Sequence, residues 1–280
     1  MTSRRRHHGF AGGVFGAVLL WALTGSAAAA APASTSVYLE ELTWTELRDR
    51  VAGGATTLLV PIGGTEQNGP HMVLGKHNVR ARWLAGRIAG KLGNAIVAPV
   101  VAYVPEGAID PPTQHMRYAG TISIPEPAFE STLEASARSL RRHGFCNVVF
   151  LSDHGGYLAS VERVAARLNR DGARRTPCAA LALAEYYRVT QTDYVQALHS
   201  KGVAAAEIGS HAGLADTSLA LAVEPALVRA DVMAARLPTA DKDGASGDPR
   251  RSSAELGRLG VDWIVDASVA AILAKTRRAP

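Results

Sequence analysis

Two segments of the chain, Thr57–Ile62 (TLLVPI) and Asn147–Ser152 (NVVFLS), are apolar over consecutive positions rather than alternate ones. A strand with one wet face alternates apolar and polar side chains, so an unbroken apolar run of this length reads as a strand covered on both faces. Ala95–Val104 and Cys178–Ala184 are runs of the same kind. Between these runs lie segments with helical spacing. Thr43 and Glu46 form a capping-box pattern ahead of a helix over Trp44–Val51. Val79–Leu92, Pro127–His143 and Tyr157–Asp171 set apolar residues at helical intervals among charged ones. Arg138, Arg141 and Arg142 stand near the C-terminal end of the second, where cations suit the helix dipole. Strand and helix therefore alternate. That order predicts an α/β fold with a mostly parallel central sheet flanked by helices on both faces.

Ligands of such sheets gather at the carboxyl edges of the strands, and polar clusters of this chain fall where strands are expected to end. The first spans Gly64–His71 and continues through Gly75–Asn78; it holds Glu66, Asn68, His71 and His77 in a Gly/Pro-rich loop. The second is Ser152-Asp153-His154-Gly155-Gly156, and the third is His211–Ser218, with His211 and Asp216 five residues apart. Taken singly, each has a plain structural explanation. A loop Glu is usually solvated, a buried His is usually a satisfied core imidazole, and Asp216 could cap a helix starting near Thr217. Taken together, clustered imidazoles and carboxylates are what zinc, manganese or iron require. Glu185, Tyr186 and Tyr187 follow another apolar run and are placed to line a pocket.

The stretch PIGGTEQNGPHMVLGKHN (residues 61–78) resembles the signature of the creatininase family; DHGGY (153–157) and HAGLADTS (211–218) are similar to that family's N-G-H-G-G-N and H-A-G-x-x-E-T-S. Ala119–Ser123 and Gly247-Asp248-Pro249 resemble its P-G-T-I-S and late G-D-P, and the five motifs follow the family's order. The resemblance implies a creatininase-like α/β domain, one or two divalent metals, frequent homo-oligomers and hydrolysis of C–N bonds. Glu66 and His154 match family metal ligands. Asp216 stands at the place of a family Glu, as an oxygen ligand or acid partner. His211 matches the His assigned to proton transfer.

Two positions depart from the pattern. Asn68 occupies the place of a ligand His, and His77 that of an Asp that bridges two metals. A neutral imidazole offers one lone pair and bridges poorly. The expectation is therefore one divalent ion per chain, zinc first with manganese or iron as alternatives, held by Glu66, His77 and His154 with Asp216 as a further oxygen ligand. His211 and Asp216 are the expected catalytic pair. Asn68, His71, His115 and Asp153 are expected to contact substrate or support the ligands, Asp153 by hydrogen-bonding a ligand His. The expected function is a metal-dependent hydrolase of a small, cyclic amide. The alternative is an inactive relative that binds a metabolite or partner, and a minor third is a peptide-trimming or lactone-opening hydrolase.

Residues 1–31 read as a signal peptide: Arg4–Arg6 precede an apolar Gly/Ala-rich run to Leu23, and small residues after Ser26 offer cleavage sites. Retention as an N-terminal anchor is the other reading of the same residues. A linker over 32–37 and a single domain over 38–280 follow, in an exported, periplasmic or secreted protein. The chain has 30 basic and 25 acidic residues, and three of the basic ones lie in that leader. The remainder is near balance, which excludes an electrostatic nucleic-acid binder. Cys146 and Cys178 are readable as a disulfide or as two buried thiols.

Overall fold

Strand β1, Thr57–Ile62, is buried at all six positions and lies at the centre of the sheet. The computed structural model describes residue 9 and residues 35–172, 178–235 and 237–276, so the expected leader falls outside the described residues. β1 is flanked by β2 (Ala95–Val97) and β3 (Asn147–Ser152), and β4 (Ala180–Ala182) extends the sheet beyond β3. The order is β2-β1-β3-β4 and every pairing is parallel. β1 and β3 pair in register from Thr57 opposite Asn147 to Ile62 opposite Ser152, so both strands exit at the same level.

Successive side chains of β1 enter opposite cores. Leu59 packs with Leu84 and Ile88 of α2 (Lys76–Leu92), whereas Leu58, Val60 and Ile62 pack with Phe129 and Leu133 of α3 (Glu126–Arg142). Each such fully buried side chain contributes about 1.5–3 kcal/mol, which is why these positions carry no polar residue. α1 (Trp44–Ala52) and α4 (Leu158–Gly172) lie on the α3 side. The α2 side carries α5 (Ala184–Gln191), α6 (Asp193–Ser200), α7 (Ala205–Ile208) and α8 (Leu214–Val223). Two short helices, α9 (Ala230–Ala235) and α10 (Ala240–Asp243), precede the long α11 (Ala254–Thr276), which packs across α8, α5 and α2. The capping box at α1 is present, with Thr43 and Glu46 each accepting the other's backbone N–H.

Two apolar runs yield shorter strands than their composition suggests. Only Ala95–Val97 of the 95–104 run pairs as strand, because Pro99 has no N–H to donate and turns the chain out of the ladder. The run rejoins β1 at one point, where Val101 N donates to Pro61 O and Gly63 N donates to Val101 O. Cys146 and Cys178 form a disulfide that ties the entry to β3 to the chain before β4. Among the described residues, no helix is long and apolar enough to cross a membrane.

Candidate metal centre

The level exits of β1 and β3 bring Gly63–Glu66 and Asp153-His154 side by side. Gly63 and Gly64 allow two other segments to close on this edge. A Cβ at Gly63 would lie 2.2 Å from Asn78 Oδ1 and 2.9 Å from Asn78 Cα, so only Gly lets the first turn of α2 sit against the strand exit. Gly64 has φ +151°, and a Cβ there would lie 2.7 Å from Glu106 Oε1. Tyr157 fixes the other side: its hydroxyl donates to Gly63 O at 2.6 Å and accepts from the backbone N–H of His154 at 3.2 Å.

Four side chains converge above this edge. One ligand atom each from Glu66, Glu106, His115 and His154 lie within 4.8 Å of one another. Glu66 Oε2 is 3.3 Å from His115 Nε2 and 3.9 Å from His154 Nε2, and His154 Nδ1 is 3.8 Å from Glu106 Oε2. Both carboxylates are buried, yet Glu66 Oε2 and both oxygens of Glu106 have no hydrogen-bond partner among the described residues. A buried carboxylate oxygen without a donor is costly. Burial, then the neighbouring Glu66, push the Glu106 carboxyl up to about 9. Burial opposes ionisation of Glu66 as well, but its hydrogen bond with His77 and the nearby His154 and Lys76 hold it well below the usual carboxylate range. Burial lowers His154 to about 4 and also lowers His115, leaving both rings neutral with lone pairs to give. Two carboxylates with orphaned oxygens and two neutral imidazoles form a nitrogen/oxygen donor set that fits a zinc-type cation, whose ligands stand about 3.3–3.5 Å apart at bond lengths near 2.0–2.2 Å.

The structure places the other expected residues around this set. His77 faces the opposite oxygen of Glu66, with Nε2 2.8 Å from Oε1, and its Nδ1 lies 2.6 Å from Asp153 Oδ2. It is therefore not one of the four converging groups. Asp153, which contacts His77, is itself held by Arg80 at 2.9 Å and by the Tyr186 hydroxyl at 2.9 Å. Asp216 is also outside the four. One of its oxygens accepts from Arg80 Nη1 at 2.7 Å, and the other from Lys76 and the Ala212 N–H. Burial would raise its carboxyl, but Lys76 and Arg80 hold it well below the usual range. Asn68 clamps its own loop by donating to Glu66 O at 2.9 Å and Val73 O at 3.1 Å. His71 pairs its Nε2 with Thr217 Oγ1 at 2.9 Å. It joins the loop to α8 rather than entering the centre.

His211 stands 3.9 Å from Glu66 through Nδ1, while its Nε2 lies 2.9 Å from Gln67 O. Burial, followed by Lys76, lowers it to about 4. A cavity of about 100 Å³ opens beside it, lined by Lys76, His77, His154, Tyr187, His211 and Asp216 among others. Tyr186 and Tyr187 line the cavity as expected, whereas Glu185 turns away to Lys275. Glu106 escapes sequence reasoning because it belongs to no motif. The available signal is an acidic residue closing the apolar 95–104 run after Pro105.

A family model for creatininase, described as creatinine amidohydrolase, matches residues 40–272. The chain is 28% identical over 202 residues to a creatinine amidohydrolase of Pseudomonas putida, covering 71% of this chain and 76% of that protein. It is 34% identical over 128 residues to a mycofactocin precursor peptide peptidase of Mycolicibacterium smegmatis, a match covering 43% of this chain and 49% of the relative. Among solved structures, a glutamate-to-glutamine variant of creatininase of Zn-Zn type superposes with a TM-score of 0.68 at 26% identity, covering 88% of this chain and all of that one.

Proposed function

The chain belongs to the creatininase family, and we propose that it is a metal-dependent hydrolase of a small amide C–N bond. The observation that carries this reading is the convergence of Glu66, Glu106, His115 and His154, with three buried carboxylate oxygens left unpaired among the described residues. Those four residues would hold one divalent ion, zinc being the best match to the donors. When bound, such an ion supplies Lewis-acid chemistry, polarising an amide carbonyl and easing the deprotonation of water.

The chain's own residues supply the rest. His211 is neutral at pH 7 because burial lowers it to about 4, so its Nδ1 is free to take a proton and pass it to a leaving nitrogen. The contact of its Nε2 with Gln67 O fixes the ring orientation for that transfer. Asp216, spent on Lys76 and Arg80, acts as a fixed anion beside His211 rather than as a proton carrier. The Asp153–His77 pair steers Glu66 from behind. The narrow cavity suits a compact substrate, cyclic amides included.

The test is metal analysis of the purified chain together with hydrolysis of a panel of cyclic amides, formamides and short peptides. One equivalent of metal and turnover of a compact amide support the reading. A chain that takes up no metal and gains no thermal stability from zinc or manganese would be the inactive binder instead. The peptidase relative favours a second reading, trimming of a short peptide; turnover confined to the peptides of the panel would select it. We also propose export, supported by the leader-like residues 1–31 and by a Cys146–Cys178 disulfide of the kind that persists in oxidising compartments.

A further inference from the structure

Lys76 is the most deeply buried cation beside the cavity, with 1% of its side chain exposed. An ammonium carries three N–H donors and no acceptor. Among the described residues its acceptor is a single oxygen, Asp216 Oδ2. Two N–H bonds of a charged, desolvated group are thus left without partners among the described residues at the wall of the cavity. The two aspartates that line the cavity already have other donors. Asp216 Oδ1 is taken by Arg80 and Oδ2 already accepts from Lys76 and Ala212. Asp153 Oδ1 receives Arg80 and Tyr186, and Oδ2 receives His77 and Arg80. Among the described residues the Lys76 ammonium therefore keeps open donors at the cavity wall, where an occupant can bring the acceptors.

We propose that Lys76 anchors the substrate, and that the substrate is a small amide carrying a carboxylate whose oxygens take the two open N–H bonds of Lys76. An anion is favoured over a neutral carbonyl because a hydrogen bond charged on both sides is roughly twice as strong as a neutral one and gains further in a dry site. The anchor lies in the same cavity as His211 and His154, so an amide held by its carboxylate end would present its C–N bond to them. This assignment rests on the hydrolase reading only for the word substrate; the anion site is a binding property.

The experiment uses the zinc-loaded full chain and titration calorimetry with succinamate and with succinamide, in which a second carboxamide replaces the carboxylate. The wild type should bind succinamate at least about tenfold more tightly, the scale of one charge-assisted hydrogen bond. K76M should keep its zinc and bind the two ligands alike, and K76R should retain a preference for succinamate. Equal binding of the two ligands by the wild type overturns the proposal without any variant, as does an undiminished preference in K76M. Ammonia release measured on the same samples reports turnover separately from binding, so the two readings separate. A chain that prefers succinamate through Lys76 but hydrolyses no amide loses the hydrolase reading and keeps the anchor. A chain that hydrolyses neutral amides and shows no preference does the reverse.

Discussion

Nδ1 of His77 lies 2.6 Å from Oδ2 of Asp153, while the far side of the same ring lies 2.8 Å from Glu66 Oε1. A ring clamped between two buried carboxylates cannot rotate, so it fixes where Glu66 points its second oxygen. Outer-shell partners of this kind are worth about 10–100-fold in metal affinity. Asp153→Asn should lower zinc affinity by that factor in competition with a chelator. It should also destabilise the fold by about 1–3 kcal/mol, since Arg80 keeps Asp216 but loses one of its two carboxylate partners. Unchanged zinc affinity would remove the clamp from the account.

Glu106→Gln tests the centre more directly. If Glu106 holds the ion, its neutral isostere should weaken zinc binding by more than about a hundredfold, beyond the range of an outer-shell change. His115→Ala should do the same. Zinc per chain after dialysis is the measurement, and a Glu106→Gln protein that still carries one tight equivalent would return the site to Glu66, His77 and His154.

The difference between those two ligand sets shows what a sequence can and cannot carry. β1 and β3 are legible because residues 58–62 and 148–151 are buried on both faces of the sheet, which a run of consecutive apolar side chains satisfies. Glu66 and His154 are legible because they follow those strands directly. Glu106 and His115 lie in the irregular segment between β2 and α3, where no periodicity marks which side chain turns inward. Lys76 and Arg80, one helical turn apart, look like an ordinary solvated pair. Only the tertiary contact with Asp216 and Asp153 shows that this face of α2 is the buried one. The same contact explains why Asp216 looks like a ligand in the sequence and is an ion-pair partner in the fold.

His211→Asn should leave the zinc content intact, because His211 is outside the four converging groups, and should lower turnover by about 10²–10⁴-fold, the usual contribution of one general acid–base. Comparison of kcat with zinc per chain separates this from loss of the ion. An undiminished kcat would exclude His211 as the proton carrier.

The Cys146–Cys178 disulfide closes a loop with a sequence separation of 32. Loop-closure entropy for that length is worth about 3–4 kcal/mol. Replacement of both cysteines by Ser should shift the denaturant midpoint down accordingly while leaving zinc stoichiometry unchanged. A stability within about 1 kcal/mol of the wild type would mean that the loop is constrained without the bond.

The stability gained from zinc should itself depend on pH, with a sign set by Glu106. Its carboxyl is pushed up to about 9 in the folded, metal-free chain, from an ordinary 4.5. Between these values the folded chain holds a proton there that the unfolded chain has released. More protons bound in the folded state means that stability falls as pH rises, at most by about 1.4 kcal/mol per pH unit. A divalent ion replaces that proton, so the zinc-loaded chain is spared the loss. His154 and His211, lowered to about 4 from 6.5, work the other way, but their contribution is complete once pH exceeds 6.5. Above that point Glu106 is left to act alone of the three. Over the interval from about pH 7 to 8.5 the zinc-induced rise in Tm should therefore grow by about 4–8 °C for a domain of this size. Thermal scans with and without zinc at the two pH values measure it, and the growth should vanish in Glu106→Gln. An increment that stays constant with pH would show that no proton leaves Glu106 when zinc arrives.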